Sequence, residues 1–364
     1  MQIDLAAIRH NIEAVSAFVG DNCEVMAVVK ANGYGHGLSQ AAEAATSGGA
    51  AALGVATVDE GVDLRNVGSS TPIVVLGASL PDQAATVLEF ELSQTVSSLA
   101  SIDALADAAA VQDKKARVHL KVDTGMGRVG AYLEEALELL DAIRRHPNVE
   151  LEGLATHVGW DAGQQDRIKS QIDTFSAAQE TLRPKLTEIP RWTHAANSLV
   201  TVTEPKGHFN LVRVGLLTYG IPPSDSESRR PSLSPALSIH ARFTQIRTLR
   251  PGQPVSYGGV TVVDRATRAA IIPVGYGDGY PRISQGGGHV LFNGKRCPIL
   301  GVVCMDQFVV DVTDTDATVG DEVILLGRSG SESITVTELA SSTGRIPYEI
   351  VAGLTPRLPY TYSA

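Results

Sequence analysis

Lys30 follows the five-residue apolar run Val25–Val29 and precedes the glycine-rich stretch Ala31-Asn32-Gly33-Tyr34-Gly35-His36-Gly37. An apolar run bounded by such a loop predicts a buried strand. The lysine stands at its C-terminal end, where parallel α/β sheets and barrels place their chemistry. An ammonium is costly to bury unless paired, so it titrates easily or is used covalently. The covalent use that fits is a Schiff base with a carbonyl cofactor. Taken alone, a lysine snorkelling at a strand end is the commoner reading. Further groups reverse that preference. Lys121 sits in the run Val118–Val122, which leads into Asp123-Thr124-Gly125-Met126-Gly127-Arg128; His157 follows Leu151–Ala155; Asn197-Ser198 follow Trp192–Ala195; Arg213 and Gly215 lie in Leu211–Leu217. Charges inside strands are expensive unless they face a polar site. Any one could belong to a structural ion pair, but five strands share the placement.

The elements that must hold these residues form a regular series. The apolar runs Val25–Val29, Ala51–Val55, Ile73–Leu76, Leu92–Val96, Val118–Val122, Leu151–Ala155, Trp192–Ala195 and Leu211–Leu217 are separated by segments long enough for a helix. Leu133, Leu137, Leu140 and Ile143 line one face of such a helix, and Ile168, Ile172, Phe175 and Leu182 line another. Strand and helix repeated eight times predict a (β/α)8 barrel rather than an open doubly wound sheet. Asp4–Val19 reads as a helix ahead of the first strand. The Pro- and Ser-rich segment from Pro222 to Pro235 reads as a linker. Beyond it, Ala236–Ile246, Ala269–Val274, His289–Phe292, Val302–Val312 and Glu322–Leu326 read as strands, with a hairpin turn at Asn293-Gly294 and one short helix near Thr337–Ser342. The expected organisation is a barrel over residues 1–235 and a mainly β domain over 236–364.

Composition narrows the function. The 364 residues are 43% hydrophobic and 19% charged, as in a folded globular chain. A formal net charge of -10 with no basic block argues against nucleic acid. No apolar run approaches the roughly 20 residues that span a bilayer, and no signal peptide is visible, so a cytoplasmic protein without a membrane partner is expected. Cys23, Cys297 and Cys304 are too few and too scattered for disulfides or a metal knuckle. They read as small buried hydrophobes, and no metal is expected. Gly33-x-Gly35-x-Gly37 lacks dinucleotide spacing, and no phosphate-cradling loop of the nucleotide-binding kind is present.

Several motifs together resemble the pyridoxal-phosphate-dependent alanine racemases over nearly the full length. They are Ala27-Val28-Val29-Lys30-Ala31-Asn32-Gly33-Tyr34-Gly35-His36-Gly37, Lys121-Val122-Asp123-Thr124-Gly125-Met126-Gly127-Arg128, Arg213-Val214-Gly215, Ser256-Tyr257-Gly258 and Cys304-Met305-Asp306. The resemblance implies a homodimer whose active sites are completed by the partner's β domain, acting on a small amino acid. It implies that Lys30 holds pyridoxal 5'-phosphate and serves as one catalytic base, with Tyr257 from the other subunit as the second. Racemisation removes a proton from one face of the α-carbon and returns one to the other, so two bases must flank it. A free tyrosine titrates near pH ~10, so Tyr257 needs assistance; the resemblance supplies His157, linked in turn to Arg213. It also places Arg213 against the pyridine nitrogen, where a guanidinium that keeps its protons leaves that nitrogen unprotonated. Tyr34, Ser198 and the N–H groups of Gly215 and Leu216 are implied for the phosphate, with Asn197 beside them in the cofactor set. Arg128 and the N–H of Met305 are implied for the substrate carboxylate, with Asp306 orienting the loop. Lys121 occupies a position that is carbamylated in many members, where the new negative charge steers Arg128.

Two departures from the family pattern stand out. Counting from Tyr348-Glu349, Pro356 stands where many members have a tyrosine that reaches the phosphate, and Val302 replaces an arginine of the access corridor. Tyr276 matches the inner tyrosine of that corridor. The implied activity is interconversion of L- and D-alanine, feeding D-alanine into peptidoglycan. The alternatives are a serine or broader-specificity racemase, a related decarboxylase, and a non-catalytic pyridoxal-phosphate-binding protein. Arg128, which would retain a carboxylate, weighs against the decarboxylase; Tyr257 and Met305-Asp306 weigh against the non-catalytic protein.

Overall fold

A computed structural model describes residues 1–224, 230–283 and 287–364. Contacts divide the chain into two units, one of Ala7–Gly33 and Gly37–Ser234, the other of Met1–Ala6, Tyr34–His36 and Pro235–Ala364.

The first unit is an eight-stranded parallel barrel among the described residues. After β1 (Gln2–Asp4), which belongs to the other unit, its strands are β2 (Glu24–Val28), β3 (Ala52–Val55), β4 (Ile73–Val75), β5 (Ser93–Val96), β6 (Ala116–Lys121), β7 (Val149–Ala155), β8 (Trp192–His194) and β9 (Leu211–Val214). They pair in sequence order from β8 down to β2, and β2 also pairs with β9, through Met26↔Ala52 on one side and Met26↔Arg213 on the other. No ladder joins β8 to β9. That seam is bridged by the Arg213 N–H donating to the Ala196 carbonyl at 2.9 Å and by the Thr193 N–H donating to the Asn210 side chain at 2.6 Å. Strands buried on both faces read as continuous apolar runs, which is why all eight were visible in the sequence.

Helices fill the separators. In Gln165–Leu182 the residues Ile168, Ile172, Phe175 and Leu182 are buried as expected. In Leu133–Arg145 the buried stripe is Ala136, Leu139, Leu140 and Ile143, and Leu137 is only half-buried. The last strand is shorter than its apolar run: extended backbone stops at Val214, and Leu216–Tyr219 form a buried 3-10 turn. Of the expected linker, residues 225–229 lie outside the described residues. Its far end is fastened, because Asn11 of the first helix (Leu5–Val19) donates to the Ser234 carbonyl at 2.8 Å and accepts the Ser234 N–H at 2.7 Å.

The second unit is built on a mostly antiparallel sheet. From one edge its order is Gln245–Leu249, Thr267–Ile272, Phe308–Asp311, Lys295–Leu300, His289–Phe292, Glu322–Ser329, Leu237–Arg242, β1 and Thr361–Ser363. Asn293 (φ 48) and Gly294 (φ 76) make the expected hairpin between His289–Phe292 and Lys295–Leu300. Two expected strands are corrected. Ala236–Ile246 breaks at Phe243, and Val302–Val312 is extended only over Phe308–Asp311, with a loop before it. The short helix lies at Val336–Ser341, and a second, Pro347–Ala352, was not foreseen. Cys23 and Cys297 are buried, and burial pushes both thiols up to about 11. Cys304 is only half-buried, against expectation.

Candidate active site

Lys30 begins a turn of unusual hand. Ala31, Asn32, Gly33, Tyr34 and Gly35 have φ of 53, 55, 61, 51 and 78°, a run of left-handed backbone. For residues with a side chain this conformation costs on the order of 1–2 kcal/mol each. Strain of that kind persists only where surrounding bonds over-determine it. Here the Gly33 N–H donates to the Val29 carbonyl at 2.8 Å, the Ala31 N–H to Glu60 at 2.7 Å and the Gly37 N–H to the Asn32 carbonyl at 2.9 Å. Glu60 is held in turn by the Ala56 N–H at 2.7 Å. The turn fixes Lys30 directly past the end of β2.

Cationic groups gather at the same ends of the barrel strands. Burial lowers the Lys30 amine from its ordinary range, and the positive charges of Arg128 and Arg213 push it the same way against the opposing pull of Glu60. Lys121, at the end of β6, is brought down to about 8 by burial, then by Arg213 and Arg128. His157 is held well below the usual imidazole range by burial and by Arg213, Lys121, Arg128 and Lys30, so it is neutral at pH 7. Asp123 does not neutralise this cluster by an ion pair of its own: its carboxylate accepts the N–H groups of Gly125 (2.8 Å), Met126 (2.9 Å) and Gly127 (2.9 Å), which shapes the loop leading to Arg128.

Arg213 is fixed from several sides. It donates to Nδ1 of His194 at 2.7 Å, to the carbonyls of Thr156 (3.0 Å) and Ala195 (3.1 Å), and to Nδ1 of His157 at 3.2 Å. A guanidinium only donates, so both imidazoles present a bare Nδ1 and carry their proton on Nε2. His194, His119 and Glu152 continue this network, and none was foreseen from the sequence. A signal existed: Arg117, His119 and Lys121 alternate along β6 and so share one face of an otherwise apolar strand.

Ser198 opens the short helix Ser198–Thr203, and its hydroxyl oxygen accepts the Gly215 N–H at 3.0 Å, which draws the start of the Leu216–Tyr219 turn to it. Asn197 is the cap of that helix, accepting the Val200 N–H at 3.0 Å and donating to the Val158 carbonyl at 3.3 Å. Its amide therefore has a structural task in addition to the cofactor role expected of it.

The second unit assembles another group. Tyr257 is 74% exposed on a tight turn. The Ser256 hydroxyl before it donates to the Val302 carbonyl at 2.7 Å, tying that turn to the Cys304-Met305-Asp306 loop. The N–H groups of Tyr276 and Gly277 donate to the carbonyls of Cys304 (3.0 Å) and Met305 (2.8 Å). Only glycine fits at 275, where a Cβ would come 2.2 Å from the Cys304 carbonyl oxygen. Tyr257, Tyr276, Met305 and Asp306 thus share one exposed surface. Arg357, unremarked in the sequence, clamps it through Asp306 at 2.7 Å and Asp278 at 3.2 Å. Pro356 stands where a C-terminal tyrosine was expected, and Tyr348 precedes it by eight residues, on the helix Pro347–Ala352. The Tyr348 ring centroid lies 5.8 Å from that of Tyr34.

Comparison with known proteins agrees with this geometry. Residues 3–223 match the family model for the alanine racemase N-terminal domain, and residues 236–362 match the one for the C-terminal domain. The chain is 42% identical to an alanine racemase of Symbiobacterium thermophilum over 363 residues, covering 99% of this chain and 96% of the relative. It is 38% identical to that of Halothermothrix orenii, again over 99% of this chain and 96% of the relative. The crystal structure of the alanine racemase from D-cycloserine-producing Streptomyces lavendulae superposes with a TM-score of 0.94 at 34% identity, covering 100% of this chain and 96% of that one. The Bacillus anthracis enzyme, solved with bound L-Ala-P, gives 0.90 at 33% identity, covering 100% and 94%. With both halves matched and full-length relatives above 30% identity, the chain belongs to the alanine racemase family.

Proposed function

We propose that this protein interconverts L- and D-alanine with pyridoxal 5'-phosphate, as a homodimer in which each Lys30 works with Tyr257 of the partner subunit. Residues 1–235 carry the lysine and residues 236–364 serve the partner's site. The observation that carries the reading is the cluster of Lys30, Lys121, Arg128 and Arg213 at the barrel's strand ends, with Asp123 committed to backbone N–H groups. Such a cluster suits a ligand bearing both a phosphate and a carboxylate, and an amine shifted toward its neutral form suits a carbonyl. The donor set therefore fits the cofactor.

When bound, the cofactor supplies the carbonyl that Lys30 captures and the sink for the electrons left on the α-carbon. Tyr34, Ser198 and the N–H groups of Gly215 and Leu216 hold its phosphate, with Asn197 bracing Ser198 and Tyr348 beside Tyr34 as the C-terminal tyrosine. Arg213 faces the pyridine nitrogen. Arg128 and the Met305 N–H hold the substrate carboxylate, Asp306 orients that loop, and Tyr276 lines the access path. Lys30 Nζ exchanges the α-proton on one face and the hydroxyl oxygen of Tyr257 of the partner subunit on the other. His157 accepts from Arg213 at Nδ1, so its one proton is on Nε2, from where it can donate a hydrogen bond that steadies the phenolate of that tyrosine without leaving the ring. The exposed surface of Tyr257, Tyr276 and Met305 supports a partner-facing role, since clustered exposed apolar groups mark interaction sites. The product serves peptidoglycan synthesis in the cytoplasm.

The test is circular dichroism of L-alanine, L-serine and L-lysine solutions incubated with the protein, beside its absorption spectrum. Loss of optical activity fastest with alanine is expected. Lys30→Ala should lose the covalently bound chromophore and the activity, and Tyr257→Phe should keep the chromophore and lose abstraction from one enantiomer. A wild-type protein that holds the cofactor but leaves all three amino acids unchanged would overturn the proposal.

A further inference from the structure

A barrel interior is ordinarily packed with branched apolar side chains. Here a string of polar groups runs through it instead. From Arg213 on β9 the guanidinium donates to Nδ1 of His194 on β8 at 2.7 Å; Nε2 of His194 lies 2.8 Å from Nδ1 of His119 on β6; and Nε2 of His119 lies 3.0 Å from the Glu152 carboxylate on β7. All four side chains are buried.

The direction of every bond is forced. Arginine has no acceptor, so His194 accepts at Nδ1 and holds its proton on Nε2. That proton points at His119, which must accept at Nδ1 and keep its own proton on Nε2, aimed at Glu152. The two uncharged imidazoles are thus aligned, bare nitrogen toward the cation and N–H toward the anion. Burial alone would raise the Glu152 carboxyl, but the N–H donated by His119, with Ser93 and Arg117, brings it below the usual range. Arg117 Nε is 4.0 Å from the same carboxylate. Burial lowers Arg213 to about 10, so its charge needs support from inside the barrel. Burial, and after it the charge of Arg213 with Lys121 beyond, holds His194 well below the usual imidazole range.

The space for the string is also built. A Cβ at position 153 would come 2.3 Å from His119 Nδ1, so the ring packs against the backbone of β7 where only glycine fits. Trp192 flanks it, ring centroids 5.8 Å apart.

We infer that Glu152, His119 and His194 form a positioning chain for Arg213: the buried carboxylate acts through two imidazoles of fixed tautomer to hold the guanidinium charged and aimed at the strand ends. These are positioning residues, since none touches the reacting atoms. The consequence for racemisation rests on the proposed function; the chain itself does not.

Two measurements test it. In protein labelled with 15N-histidine, two-bond proton–nitrogen correlation should show His119 and His194 both protonated on Nε2 and bare at Nδ1, with or without cofactor. An Nδ1 proton or an imidazolium at either residue overturns the inference, whether or not the protein racemises alanine. Glu152→Gln keeps an acceptor for His119 and removes the charge. It should lower kcat by about ten- to one-hundred-fold in both directions, the scale that orienting partners of histidine ligands command, with KM little changed. It should also shift the alkaline limb of the kcat profile downward as Arg213 loses its counter-charge. A wild-type kcat and pH profile in this variant overturns the inference. Should Glu152→Gln fail to fold, the wild-type tautomers still decide.

Discussion

Lys121 should react with dissolved carbon dioxide. At pH 7 an amine lowered to about 8 is about one-tenth neutral, whereas one at the ordinary 10.5 is about 0.03% neutral, so the reactive form is enriched about 300-fold. The nitrogen lone pair attacks the carbon, an N–H proton leaves to solvent, and the ammonium's positive charge is replaced by a carbamate's negative one. The lowering from 10.5 to about 8 corresponds to about 3 kcal/mol by which the fold disfavours the ammonium. Between about pH 8 and the ordinary lysine range the unfolded chain binds more protons than the folded one, so this penalty is fully present below about pH 8 and is relieved as pH rises. A carbamate removes the penalty and adds an anion facing Arg213 and Arg128.

The assay is a carbon spectrum in 13C-bicarbonate, run beside thermal melts with and without carbon dioxide. At pH 8 the protein should show a carbamate carbon that fades as the solution is brought to pH 6. The melting midpoint should rise with carbon dioxide by a few degrees, bounded by that 3 kcal/mol. In Lys121→Met both effects should vanish. A silent carbon spectrum at pH 8, or the same melting shift in Lys121→Met, refutes the reasoning.

Gly35→Ala should destabilise the second unit by at least about 1–2 kcal/mol, because φ is 78° there and a Cβ would come 2.1 Å from the Val351 carbonyl oxygen; an unchanged denaturant midpoint counts against it. Arg357→Met should raise KM for alanine more than it lowers kcat, since it frees Asp306 and the Met305 loop, and should leave the melting midpoint in place because Arg357 is exposed. Steady-state kinetics in both directions decide it.

What could be read in the chain follows from what water does to each element. Barrel strands are covered on both faces, so β2 to β9 announce themselves as apolar runs. Their ends do not, because burial outlasts extension. Leu216, Leu217 and Tyr219 are as buried as β9, yet Gly215 at φ −101°, ψ −80° has already turned the chain into a 3-10 turn. In the second unit the strands alternate buried and exposed positions, and apolar residues also line loops, which is how Val302–Val312 came to resemble one strand. Chemistry was legible where a charged group stood at a strand end, as at Lys30 and Arg213. It was not legible where the partner came from a distant strand: nothing near His119 in the chain names Glu152 or His194, and only the closed sheet brings the three together. The same holds for Arg357, which reaches Asp306 across 51 residues. The residues proposed to touch ligand are therefore the ones accessible to motif and spacing, while those that aim them belong to the topology. A charged alternation such as Arg117, His119, Lys121 in a buried strand is the trace that topology leaves in the sequence. The lone interior charge costs too much to keep, so such an alternation marks a face whose partners should be sought on the neighbouring strands.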